Sequence, residues 1–137
     1  MHRHCRRVIG SVVTTVIAGG ARAQRVDIIE RYLAETSINE RRLVVTAPVL
    51  LGPSIARSVA AGPSTVVVEA PGGCACCIGG VTFRVFLTRQ LRSSTPSRLI
   101  LELAASDHTE RIIAMLGDEW FSKVLTIETI ERLTSSA

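Results

Sequence analysis

The residues with the clearest chemistry are cysteines. Cys74, Cys76 and Cys77 crowd into one stretch, Gly72-Gly73-Cys74-Ala75-Cys76-Cys77, while Cys5 stands far away near the start. A disulfide framework spreads its cysteines so that distant segments are stapled together. Adjacent thiols do that badly, and three in one loop suit a thiophilic metal such as Zn²⁺ or Cu⁺. Three thiolates would leave one coordination position open. The plainer alternative is a set of small packed thiols, because free cysteine behaves much like a small hydrophobe. His2-Arg3-His4-Cys5 also combines metal-binding residue types, but it reads first as a frayed, solvated terminus. No Ser/His/Asp or Cys/His set stands out, and no pair of carboxylates is spaced for acid–base work.

A thiol loop needs a scaffold, and composition says of what kind. The chain has 137 residues, 47% hydrophobic and 20% charged, with a mean hydropathy of +0.32. One domain of this size buries about two-thirds of its unfolded surface, and the apolar share is too high for disorder. The net charge of +4 is spread along the chain, and aromatics make up only 4%. No basic stripe is interleaved with aromatics, so nucleic acid is not expected as a partner. Every basic residue except Lys123 is an arginine.

The beginning admits two readings. Arg3, Arg6 and Arg7, the apolar stretch Val8 to Ala18, and Ala21-Arg22-Ala23 together imitate a secretory leader cut after Ala23. The apolar run is too short and too interrupted by Ser11, Thr14 and Thr15 to span a bilayer. Alternatively, the β-branched run Val12 to Ile17 is a buried strand stopped by Gly19-Gly20. The strand is preferred, because an amphipathic helix follows in which Val26, Ile29 and Leu33 share a face with Ile28 and Tyr32.

The alternation continues downstream. Strands are expected at Leu43 to Thr46, Thr65 to Val68, Leu99 to Leu101 and Val124 to Ile130, with a short helix at Ile55 to Ala61. Phe83, Phe86, Leu87 and Leu91 mark a further helix face, and Asp107 with Glu110 resembles a capping box for a helix through Leu116. Trp120-Phe121 is expected at the edge of the core. Apolar strands separated by helices predict an α/β fold, a three-layer arrangement around a mostly parallel sheet. The Gly19-Gly20 turn and the cysteine loop each leave a strand and enter a helix. Both should therefore lie at the carboxyl edge, where such sheets bind ligands.

The order of parts resembles the CobW-type P-loop GTPases over roughly residues 10 to 133. Val68-Glu69, the C-x-C-C loop and the helix after it are similar to that family's metal-binding signature. Arg98-Leu99-Ile100-Leu101-Glu102 is similar to its strand ending in a switch glutamate, and His108 falls where one branch has a Gly-His-Pro turn. Val16-Ile17-Ala18-Gly19 matches the end of the first strand, so Gly19 to Asp27 occupies the place of the phosphate loop. A working loop reads G-x-x-x-x-G-K-[ST], with glycines that open backbone N–H groups to phosphate, a lysine charge and a Mg²⁺-holding hydroxyl. Here Gln24 replaces the second glycine, Arg25 the lysine and Val26 the hydroxyl, and Asp27 adds a negative charge. Ala47-Pro48 stands where an acidic Mg²⁺-associated turn is expected, Ala105 and Thr109 replace a glycine and a proline, and the guanine-selecting element would lie beyond Ala137.

The resemblance implies a truncated P-loop NTPase-like domain over residues 10–133, with tails at 1–9 and 134–137. It implies a soft metal, zinc first, held by Cys74, Cys76 and Cys77, with a fourth ligand from Glu69, His108 or the His2-His4-Cys5 group. Gly19, Gln24, Arg25, Val26 and Asp27 are the degenerate nucleotide-binding positions, leaving Arg22 and Arg25 as cations for an anion. Glu102 is switch-like, or else a charged strand end. The expected role is metallochaperone-like metal binding in the cytoplasm without GTP hydrolysis, with a client metalloprotein or an oligomer as partner and no membrane. The alternatives are a GTPase with an atypical loop, an interaction module, and an exported protein cut after Ala23.

Overall fold

A computed structural model describes residues 12–35, 40–46, 65–69, 80–103 and 109–134. Their elements run β1 (Val12–Gly19), α1 (Arg22–Glu35), β2 (Arg42–Thr46), β3 (Thr65–Glu69), α2 (Gly80–Ser94), β4 (Arg98–Leu103), α3 (Thr109–Leu116), α4 (Glu119–Val124) and β5 (Leu125–Leu133). The strands form one five-stranded sheet in the order β3-β2-β4-β1-β5, parallel throughout. Helices cover both faces, so the fold is three-layer α/β of a type consistent with a P-loop-like domain.

Alternation along the strands assigns the two cores. A strand sends successive side chains to opposite faces. Leu43 and Val45 accordingly join Leu99, Leu101 and Leu103 against Phe83, Leu87 and Leu91 of α2, Ile112 and Leu116 of α3, and Phe121 of α4. Val44, Ile17 and Ile100 face the other way, onto Ile28, Ile29 and Leu33 of α1. Burial on both faces is why these strands read as continuous apolar runs.

Each expected strand is present with somewhat different ends, and the first and last differ most in consequence. The strand expected at Val12 to Ile17 continues to Gly19 and is paired on both sides, with β4 and β5. A cut after Ala23 would remove it. The strand expected from Val124 begins at Leu125 and runs to Leu133, because the residues before it form the short helix α4, capped by Asp118. Within that helix Phe121 is fully buried, while Trp120 is 39% exposed and packs edge-on against the Phe121 ring at 4.9 Å. The expected helix at Ile55 to Ala61 and the capping residue Asp107 lie outside the described residues. Among the described residues, no helix is long and apolar enough to cross a membrane.

Two neighbouring arginines tie the helices to the amino edge of the sheet. Arg41 Nη2 donates to the Ser94 carbonyl at the end of α2, at 3.0 Å. Arg42 Nη1 donates to the Leu33 carbonyl in the last turn of α1, at 2.7 Å. Being consecutive, they serve helices on opposite faces, and each places a cation at a helix end whose unpaired carbonyls attract one. Thr95, just past α2, takes a left-handed φ of 40°.

Candidate functional site

The carboxyl ends of β1 and β4 lie side by side, with Ile17 opposite Glu102 and Ala18 opposite Leu103. β1 leaves the sheet through Gly19 and Gly20, with φ of 80° and 64°, a left-handed pair that disfavours any residue with a Cβ. At Gly20 a Cβ would also meet Gln24 Oε1 and Leu133 Cβ, each at 2.7 Å. The chain then enters α1 at Arg22. Gln24, Arg25, Val26 and Asp27, expected as degenerate nucleotide-binding positions, are therefore helical, in the first turns of α1.

Several polar groups of this turn are satisfied from within. Gln24 Oε1 accepts from the Ala21 N–H at 2.6 Å, the backward half of a capping box in which the third helical residue serves the cap position. Arg25 curls under the turn. Its Nη1 donates to the carbonyls of Gly19 at 2.9 Å and Gly20 at 2.8 Å, and its Nε pairs with Glu102 Oε2 at 2.7 Å. The side chains of Arg25 and Glu102 are 6% and 0% exposed. Among the described residues, the buried Glu102 Oε1 has no hydrogen-bond partner. Val26 packs at the border of the α1-side core, Asp27 is exposed, and Arg22 is half-buried.

Chemically, the turn aims two carbonyl oxygens and a buried carboxylate at an internal guanidinium. A phosphate-binding turn does the reverse, aiming N–H groups outward at an anion. The sequence presents Arg25 and Glu102 as separate candidates, and the structure pairs them. A signal for it exists: Arg25 shares the helix face of Ile29 and Leu33, and Glu102 interrupts the apolar run Leu101-Glu102-Leu103. Two lone charges on faces that must pack together are candidates for one another.

The cysteine loop is framed but not described. β3 ends at Glu69, which is exposed, and α2 starts at Gly80, so Cys74, Cys76 and Cys77 lie outside the described residues, as do Cys5 and His108. The segment 70–79 leaves from the same carboxyl edge as the Gly19-Gly20 turn, because β3 runs parallel to β1 within one sheet. Three strand spacings separate the two exits, about 14 Å at the usual interstrand distance. Among the described residues, no group of three His, Cys, Asp or Glu side chains is placed to hold a metal. A cavity of about 600 Å³ lies at the opposite edge, lined in part by Arg41, Arg42, Val66, Gln90 and Pro96.

These features define a parallel α/β domain in which the turn after β1 is filled by its own arginine and the C-x-C-C sequence lies between β3 and α2. Comparison with curated proteins finds a stretch of 56 residues that is 36% identical to the zinc chaperone YeiR of Escherichia coli K12. The match takes in 41% of this chain and 17% of that protein's length. No protein-family model matches the chain, and no solved structure matches it.

Proposed function

We propose that this chain is a CobW-type domain, residues 10–133, that binds a soft metal, zinc in the first place, through Cys74, Cys76 and Cys77. Its role is metal delivery or metal homeostasis in the cytoplasm, with a client metalloprotein or another copy of a related chain as partner. The observation that carries this reading is the similarity to a zinc chaperone, in a chain whose C-x-C-C segment joins a parallel strand to a helix at the ligand-binding edge of the sheet. Thiolates favour zinc over hard cations, and three of them leave a position through which metal can be handed on.

The same reading holds that the domain does not hydrolyse GTP. Neither a lysine nor a hydroxyl stands at positions 25 and 26, and the guanidinium of Arg25 is engaged by Glu102 and two backbone carbonyls. Glu102, in this view, is the partner of Arg25 rather than a sensor of nucleotide.

Metal stoichiometry of the purified chain is the test, wild type against Cys76→Ala and against Cys74→Ala/Cys77→Ala. The wild type is expected to retain near-stoichiometric zinc through desalting, and the variants to lose most of it. Equal, near-zero zinc in all three would remove the proposal.

A further inference from the structure

We infer that the turn at the carboxyl ends of β1 and β4 is a guanidinium-binding site, filled within the chain by Arg25, and that the seated guanidinium closes this turn to phosphate. The assignment rests on the geometry of the turn and is independent of the metal reading.

Three acceptors define the site. Glu102 Oε2 receives Nε at 2.7 Å, and the Gly19 and Gly20 carbonyls receive Nη1 at 2.9 and 2.8 Å. These contacts use two nitrogens of one planar fork. A guanidinium offers donors on separate nitrogens at fixed angles, whereas the compact ammonium of lysine cannot span such a set. The charge is balanced by a carboxylate that is itself fully buried. Among the described residues its second oxygen, Oε1, has no hydrogen-bond partner, so the tethered arginine leaves acceptor capacity that an untethered guanidinium could reach. The paired left-handed glycines turn their carbonyls toward the cation.

The same arrangement repels anions. A phosphate here would meet two carbonyl oxygens and a buried carboxylate. The Ala21 N–H is already taken by Gln24, and the Arg25 cation is neutralised by Glu102. Arg25 thus acts as a plug rather than as an anion hook.

Chemical rescue of the full-length chain tests the assignment. Thermal unfolding of Arg25→Ala is followed with and without about 20 mM guanidinium chloride, against sodium and ammonium chloride at equal ionic strength. Occupancy of the emptied site should raise the midpoint of Arg25→Ala by about 3–5 °C. Wild type, whose site is filled, and Arg25→Ala/Glu102→Ala, which lacks the carboxylate, should show no rise. No rise in Arg25→Ala, or an equal one in all three proteins, would overturn the assignment. Should Arg25→Ala not fold, calorimetry of wild type with millimolar pyrophosphate decides instead. No binding is the expected result, and pyrophosphate binding to the wild type that Arg25→Gln removes would overturn it by making Arg25 an anion ligand.

Discussion

Arg25 and Glu102 form a buried ion pair beneath the turn that leaves β1. A side chain only 6% exposed and carrying a full charge persists in a core when paired and hydrogen-bonded, because removing an ion from water costs several kcal/mol. Breaking the pair from one side should therefore be severe. Glu102→Leu leaves Arg25 charged and buried and is expected to lower stability by about 3–5 kcal/mol in urea or guanidinium unfolding. The double replacement Arg25→Met/Glu102→Leu should recover most of that loss, since an apolar pair of similar volume often replaces a buried ion pair at little cost. A double variant as unstable as the sum of the singles would show that the two side chains act separately. The residues were visible in the sequence, but their partnership was not. They lie 77 positions apart, and only the parallel alignment of β1 with β4 brings the start of α1 over the end of β4.

Among the elements, the short helix α4 shows where reading by pattern fails. Short apolar runs do not distinguish strand from helix by periodicity, so the pattern places Val124 in a strand that begins one residue later, at Leu125. The decisive feature is Asp118, whose Oδ1 accepts from the Phe121 N–H at 3.0 Å while its Oδ2 pairs with Arg84. Partial burial pushes the Asp118 carboxyl up, but the Phe121 N–H bond and the Arg84 guanidinium outweigh it and hold the group below its usual value. Because the folded form binds its proton less readily than the unfolded chain, this stabilisation is present above the ordinary aspartate value and is lost as pH falls through the depressed one. Asp118→Ala should cost about 1 kcal/mol at neutral pH, the typical worth of an N-cap. The gap between variant and wild type should close as unfolding is measured at progressively more acidic pH. A gap that stays constant with pH would remove the carboxylate from the explanation. The longer helices needed no such detail, since Ile29 and Leu33 in α1 and Phe83, Leu87 and Leu91 in α2 repeat at helical spacing over several turns.

For the whole molecule, parallel strands separated by helices were legible in the β-branched runs, but the order β3-β2-β4-β1-β5 is not a property of any one segment. That order sets what can communicate with what. β2 and β4 stand between the strand that leads to the cysteines and the strand that leads to the Arg25 turn. A coupling between metal and nucleotide requires two ligands whose binding free energies depend on one another, and it is reciprocal. If Arg25 plugs the turn, Mg-GTP has no purchase at this edge and cannot bias the metal loop. Zinc affinity, measured by competition with a chromogenic chelator, should then be the same with and without millimolar Mg-GTP. It should weaken steadily with acidification, because thiols must lose their protons to bind metal. Cys76→Ala should weaken binding and make its pH dependence less steep, with one thiol fewer to deprotonate. A shift in zinc affinity of more than about fivefold on adding Mg-GTP, the lower bound of ordinary allosteric coupling, would mean that nucleotide reaches the domain despite the plug.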